Sequence, residues 1–258
     1  MKKNNQTLLL LGLLLAFAGG LRAQKDSVKV APKIPAAILV NLSYGFHFPG
    51  GDLGQRFGTL NVVGGSVQFV SKKNFIVGAD VQYGFGDLVK ENVLSMLETP
   101  EGLLIDQNGQ LAIVVPNART VYAGGRLGYL IPLLKNGTRT GIELGAGAGY
   151  YRHWLRIEDP SETLVQLQGE YLKGYDRLTD GLALYEYVGF RFSSRRRLVN
   201  FFAGLEFGQG FTHNRRVWNY NEVAAETGTR SDLFFGVRFG WTIPFELYSR
   251  ETERRYYY

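Results

Sequence analysis

The chain contains no cysteine. That excludes disulfide staples and thiolate metal centres, and it excludes a lipid attached through a cysteine. Stability has to come from a large closed core or from a membrane. Past the amino terminus there is no unbroken apolar run of the roughly 20 residues that a membrane-spanning helix requires. Charge of one sign is scarce as well. The formal net charge is +6, and a leader carrying Lys2, Lys3 and Arg22 without an acid accounts for half of it. So weak a basic excess gives no argument for nucleic acid as a partner.

What the amino terminus does have is the composition of an export signal. Lys2 and Lys3 precede a polar stretch, an apolar run from Leu8 to Ala18, and Gly19-Gly20-Leu21-Arg22-Ala23. A basic start, a short apolar centre and small residues before the cut are the parts of a secretory signal. We expect cleavage after Ala23, a polar periplasmic leader over 24–35, a barrel over 36–245, and a charged periplasmic tail over 246–258 that ends in Tyr256-Tyr257-Tyr258. The tail could serve as a dock for a periplasmic protein.

The remainder alternates apolar and small or polar residues with period 2, which is the signature of strands with two unlike faces. Backbone in lipid must satisfy every N–H and C=O internally, so a strand-built membrane protein is a closed barrel. Its strands run about 9–11 residues, apolar outward. Eight segments fit: about Ala37–His47, Thr59–Val70, Phe75–Gly86, Arg119–Ile131, Thr140–His153, Leu182–Phe192, Val199–Thr212 and Leu233–Phe245. The third is the clearest, with Phe75, Val77, Ala79, Val81, Tyr83 and Phe85 opposing Gly78, Asp80, Gln82 and Gly84. Short connections at Ser71–Asn74, Pro132–Arg139 and Ser193–Leu198 alternate with long ones at Phe48–Gly58, Asp87–Ala118, Trp154–Gly181 and His213–Asp232. Outer-membrane barrels show that rhythm, with the short turns in the periplasm. The pattern predicts an all-β fold, an eight-stranded antiparallel up-and-down transmembrane barrel. A hairpin around Asn108-Gly109 in the second long connection would allow ten strands. The stretch Val89–Leu97 before it reads as helical.

The inward faces of strands three to eight carry Asp80, Arg126, Glu143, Arg191, Glu206 and Arg238, alternating in sign from strand to strand. Eight strands leave room only for the barrel's own side chains, so these charges are expected to pair and fill the lumen. Glycines 145, 147 and 149 are expected to make room for Tyr122 and Phe202. Glu186 conflicts with simple alternation: if Arg191 points inward, Glu186 points to lipid. Either Glu186 sits above the membrane or a bulge shifts the register.

Three readings of the chemistry stay open. His47, His153 and His213 fall at the predicted outer ends of odd strands, beside aromatic girdles, where an enzyme acting on lipid A would place a histidine base next to a nucleophile. No His-x-Ser motif accompanies them. A narrow pore is the second reading. Binding by the outer loops is the third: Lys173, Arg177, Arg215, Arg216 and Trp218 could hold lipopolysaccharide phosphates or a protein. No metal or cofactor is expected.

From the signal through the last strand the chain resembles small eight-stranded outer-membrane barrels of the OmpA/OmpX type, in their lone-barrel form. Its Gly- and Tyr-rich strands and the Phe48-Pro49-Gly50-Gly51-Asp52-Leu53 loop are also similar to accessory barrels of the PorT/PorG kind. The resemblance implies a non-enzymatic role in envelope structure, or as an accessory to a surface or secretion complex. Lipid, lipopolysaccharide and a periplasmic or secretion-complex protein would be its partners. No catalytic residue carries over.

Overall fold

A computed structural model describes residues 34–134, 138–160, 163–194 and 199–247. The export signal, its cleavage site and the tyrosine tail lie outside these residues. Eight strands follow in order: β1 (Ala36–Gly50), β2 (Leu60–Val70), β3 (Phe75–Gly86), β4 (Val115–Pro132), β5 (Gly141–Glu158), β6 (Thr179–Ser193), β7 (Asn200–Asn214) and β8 (Thr229–Leu247). Each pairs antiparallel with its sequence neighbour, and β8 closes onto β1. Closure leaves no edge with unpaired backbone groups.

The strands exceed the predicted spans mainly at the ends bearing the long loops. β5 runs to Glu158 and β8 begins at Thr229. Longer strands carry the ring above the apolar band. β8 also continues through Glu246 and Leu247, paired with Ala37 and Ala36, so these residues belong to the sheet and not to a tail.

Alternation places the side chains. Leu42, Val67, Val77, Leu127, Leu205 and Phe239 point outward and are exposed. Aromatic residues cluster near the band's margins. Phe75 meets Tyr129 with ring centroids 5.1 Å apart, and Phe192 meets Phe201 at 5.0 Å, both toward the short turns. A soluble protein does not expose so continuous an apolar wall; this is the lipid-facing band of a membrane-spanning barrel.

The barrel has the eight strands that the pattern predicts, and the ten-strand alternative does not form. The Asn108-Gly109 turn does form: Asp106 accepts from the backbone N–H of Asn108 and Gln110 at 2.8 Å, and Gly109 takes a positive φ of 73°. Behind it stand only isolated bridges, Ile105 to Leu111 and Glu98 to Leu104, so the hairpin never becomes a strand pair. Val89–Leu97 is a run of turns rather than a helix, because Val93 and Leu94 are drawn into a core beneath the loops. The register through β6 is regular, with Ala146 opposite Glu186 and Gly141 opposite Arg191. No bulge intervenes, and Glu186 projects from the outer face.

Candidate functional site

Two layers of polar side chains occupy the inside of the ring. The lower one is built by alternation alone. Glu143 on β5 accepts from Arg191 Nε on β6 at 2.7 Å and from Arg126 Nη2 on β4 at 2.9 Å. The Arg191 fork also donates to Asn41 at 3.1 Å, Thr242 at 2.9 Å and Gln68 at 3.0 Å. Arg238 on β8 donates to both carboxylate oxygens of Asp80 at 3.1 and 3.0 Å and lies 3.2 Å from Glu206. Its other terminal nitrogen donates to the Tyr185 hydroxyl. The guanidinium of Arg126 stands 5.1 Å from the Tyr187 ring and that of Arg238 stands 5.4 Å from it, within cation–π range. All six charges are buried. A charge held in that environment costs several kcal/mol unless it is paired and hydrogen-bonded.

The space for these groups comes from glycine, but not as expected. A Cβ on Gly145 would lie 2.8 Å from the Arg126 guanidinium, and one on Gly147 3.1 Å from the Tyr185 ring. The ladder therefore makes room for Arg126 and Tyr185, not for Tyr122 and Phe202. Below the charges, Leu39, Val70, Ile76 and Leu130 form an apolar seal toward the short turns.

Two of the three histidines are not interfacial. His47 and His153 point inward and are buried. His47 Nε2 lies 2.6 Å from Glu206 and its ring stacks on Phe234 at 4.3 Å. His153 Nε2 lies 2.9 Å from Asp232, which also accepts from Thr212. The alternation of β1 and β5 already put both histidines on the inner face. Asp232 was missed because β8 starts earlier than its apolar run. A base, a carboxylate and a hydroxyl thus meet, but side chains cover them on every side and no serine joins them. His213 is exposed and shares a hydrogen bond with Thr229 at 2.9 Å.

Above this the outer loops form a cap whose apolar core runs on into the lumen at Tyr122, Tyr151 and Tyr185. The first (51–59) begins with the short helix α1 (Gly51–Arg56), which has Leu53 buried; Phe57, just after it, is buried too. These pack with Val93 and Leu94 of the second loop (87–114) and with Leu164, Leu167 and Tyr175 of the third (159–178). Glu91 accepts from Arg56 at 2.8 Å and from Arg177 at 2.7 Å. Glu226, in the fourth loop (215–228), lies 3.4 Å from Arg56 and 2.6 Å from Arg230. One acid and two arginines therefore tie the first three loops, and Glu226 ties the fourth to Arg56. Burial alone would raise the Glu91 carboxyl, but Arg56 and Arg177 outweigh it and hold it below the ordinary value of 4.5. Glu226 is held low in the same way: burial is overcome by Arg230 and Arg56. Nothing in the sequence marks Arg56, Glu91 or Glu226, since their meeting depends on how unrelated loops fold together.

The outer-loop binding candidates are scattered by this arrangement. Arg177 is fully buried and bound to Glu91, Asn221 and Glu222, so it is a strut of the cap and not a binding residue. Arg215 pairs with Asp180, Arg216 with Asp176, and Lys173 with Glu170. The hydrogen bond to Asp176 raises the Arg216 guanidinium above its ordinary value. Lys173, Arg215, Arg216 and Trp218 do share an open groove of about 210 Å³. Its cations each have an acid of their own, which leaves little charge for an anion. A second, more apolar groove of about 380 Å³ lies between Met96, Leu97, Gln166, Tyr171, Tyr175 and Tyr220. Among the described residues no cluster of three or more His, Cys, Asp or Glu side chains is placed to hold a metal.

No family model matches the chain, and no curated relative matches its sequence. Some solved structures are similar to it at low sequence identity. Ail, the attachment invasion locus protein of Yersinia pestis, solved with the heparin analogue sucrose octasulfate, is 8% identical with a TM-score of 0.44, covering 80% of this chain and 97% of Ail. The outer membrane protein OprG of Pseudomonas aeruginosa is 10% identical with a TM-score of 0.44, covering 83% and 98%. The N-terminal barrel of Pseudomonas aeruginosa OprF is 10% identical with a TM-score of 0.35, covering 80% and 96%. No functional assignment rests on these likenesses.

Proposed function

We propose that this chain is a non-enzymatic outer-membrane barrel with a closed, salt-bridge-filled lumen, serving as an accessory scaffold to a surface or secretion complex. One observation carries the reading: the interior is occupied from the apolar seal at Leu39, Ile76 and Leu130, through the Glu143–Arg191 and Asp80–Arg238 pairs, to the capping loops. Paired charges that fill their space do not conduct, and an eight-stranded ring has no further width to offer. A barrel whose lumen is filled acts through its surfaces. The ordered cap presents loops of four connections on one rigid platform, the usual place for recognition on a scaffold. Export, cleavage after Ala23 and periplasmic contact through the carboxy-terminal tail belong to the same reading.

Planar-bilayer recording on the refolded full chain tests closure. The expected result is no stepwise current above baseline; discrete open levels would replace the scaffold reading with a narrow pore. Lipid A analysis from cells carrying an alanine at His47, His153 or His213 tests the enzymatic alternative, and unchanged lipid A is expected, because His47 and His153 are sealed from lipid and solvent and the exposed His213 bonds to Thr229 with no carboxylate partner among the described residues.

A further inference from the structure

Glu186 stands on the outer face of β6 in the middle of its apolar run. Leu182 and Leu184 lie toward the loops and Val188 and Phe190 toward the short turns, all four exposed. Across the ladders it faces Ala146 on β5 and Phe207 on β7. A carboxylate in the lipid band is unfavourable, and in membranes such groups pair with another polar group. No side chain among the described residues makes an ion pair or hydrogen bond with Glu186, although the outward Asp180 farther along β6 is held by Tyr150, Arg152 and Arg215.

The face beside Glu186 differs from the rest of the band. One ladder row runs Ala79, Gly125, Ala148, and Ala146 stands next to it, all exposed. On the far side of the ring the corresponding outward residues are Phe235, Val237, Phe239 and Trp241. The barrel's own packing does not require glycine at position 125. A Cβ on Gly125 would meet no atom nearer than 3.9 Å, and its φ is not positive. Glycine inside a strand costs stability and commonly marks a place where another chain approaches closely.

We infer that the β3–β6 face seats a second membrane-embedded protein whose own face brings an arginine or lysine to the depth of Glu186. Small residues admit close approach, and the unpaired carboxylate supplies the charge that such a partner complements. Among the described residues a second copy of this chain offers no cation on the outer face at that depth: outward Arg119 and Arg152 lie near the loop ends of β4 and β5, and Arg126, Arg191 and Arg238 all point inward. This inference rests on the scaffold reading and names the surface through which it acts. A conducting lumen would overturn that reading, whereas the cross-links below decide this inference by themselves.

The test places a photo-reactive residue at Ala148, with Val237 as the control face, in the full chain in its native outer membrane. We expect one protein adduct at Ala148 and none at Val237, with the linked peptide carrying a lysine or arginine in a membrane-spanning segment. Glu186→Leu should lower the adduct about tenfold, the equivalent of about 1.4 kcal/mol. Glu186→Lys should abolish it, and an acidic replacement of the partner's cation should restore it. The purified Glu186→Leu barrel should melt no lower than the parent, because leucine suits lipid better than a carboxylate. Equal labelling of both faces, adducts to lipid or to a second copy only, an adduct indifferent to Glu186→Leu, or a less stable Glu186→Leu barrel would each overturn the inference.

Discussion

The lumen network and the cap network use the same chemistry, buried arginines paired with carboxylates, but they are assembled differently. In the lumen, Arg126, Glu143 and Arg191 sit on adjacent strands, and the ladder itself holds them in reach. In the cap, Arg56, Glu91, Arg177 and Glu226 come from four loops with no shared ladder, and each must find the others as the loops pack. The lumen pairs are therefore part of the barrel's own cooperative unit. The cap pairs are expected to hold a layer that loosens before the barrel opens, although its apolar core runs on into the upper lumen at Tyr122 and Tyr151.

Glu143→Ala should break this comparison most severely. It leaves Arg191 without a carboxylate and Arg126 with Asp80 alone, at 3.5 Å, and removing one partner of a buried pair costs about 3–5 kcal/mol. The melting temperature in detergent, followed by heat-modifiable mobility, should fall steeply, and failure of the barrel to assemble fits the same account. A variant that melts like the parent would mean that water reaches the lumen and solvates the arginines.

Next comes Arg177→Met, which keeps the bulk of the strut and removes its charge. Glu91 loses one of its two arginines. Protease cleavage within the second loop (87–114) should become several-fold faster, while the barrel's heat-modifiable band stays where it is. Parallel loss of both would show that cap and barrel unfold as one.

Acid should separate the two layers without mutation. The Glu91 and Glu226 carboxyls are held below 4.5, chiefly by arginines that overcome the effect of burial. Their contribution is complete above pH 4.5, the unfolded value, and is lost as the pH falls through the depressed folded values. Loop protection from hydrogen exchange, corrected for the intrinsic pH dependence of the amides, should fall below about pH 4.5, and Glu91→Gln should flatten that fall. Protection that does not change with pH would show that the cap is held by its apolar core alone.

The smallest effect is expected at Lys173→Ala. Its pair with Glu170 is largely exposed, and pairs of that kind are worth about 0–1 kcal/mol. Melting and loop proteolysis should match the parent; a clear shift would mean that the Lys173 groove is part of the cap's framework.

How much was legible follows the same division. The period-2 pattern was enough for strand number, for the inward set Asp80, Arg126, Glu143, Arg191, Glu206 and Arg238, and for the outward band, because a strand's pleat sends successive residues to opposite faces whatever surrounds it. It also contained the inward position of His47 and His153, which their rim location obscured. Glu186 was legible as an anomaly, and the regular β6 register leaves it on the lipid side.

The loops were not legible, for a physical reason. Val89–Leu97 has helical spacing, but Val93 and Leu94 gain more by burial against Leu53 and Phe57 than a short exposed helix offers. Arg177 looked like an exposed cation until three other loops closed over it. The sequence by itself determined the barrel, its faces and the charges inside it, since those follow from local backbone geometry repeated strand after strand. Only the tertiary structure decided which glycines make room for which side chain, which cations are buried, how four loops become one cap, and that a lone carboxylate faces lipid beside a row of small residues. Those outcomes depend on contacts between segments far apart in the chain, which no local pattern encodes.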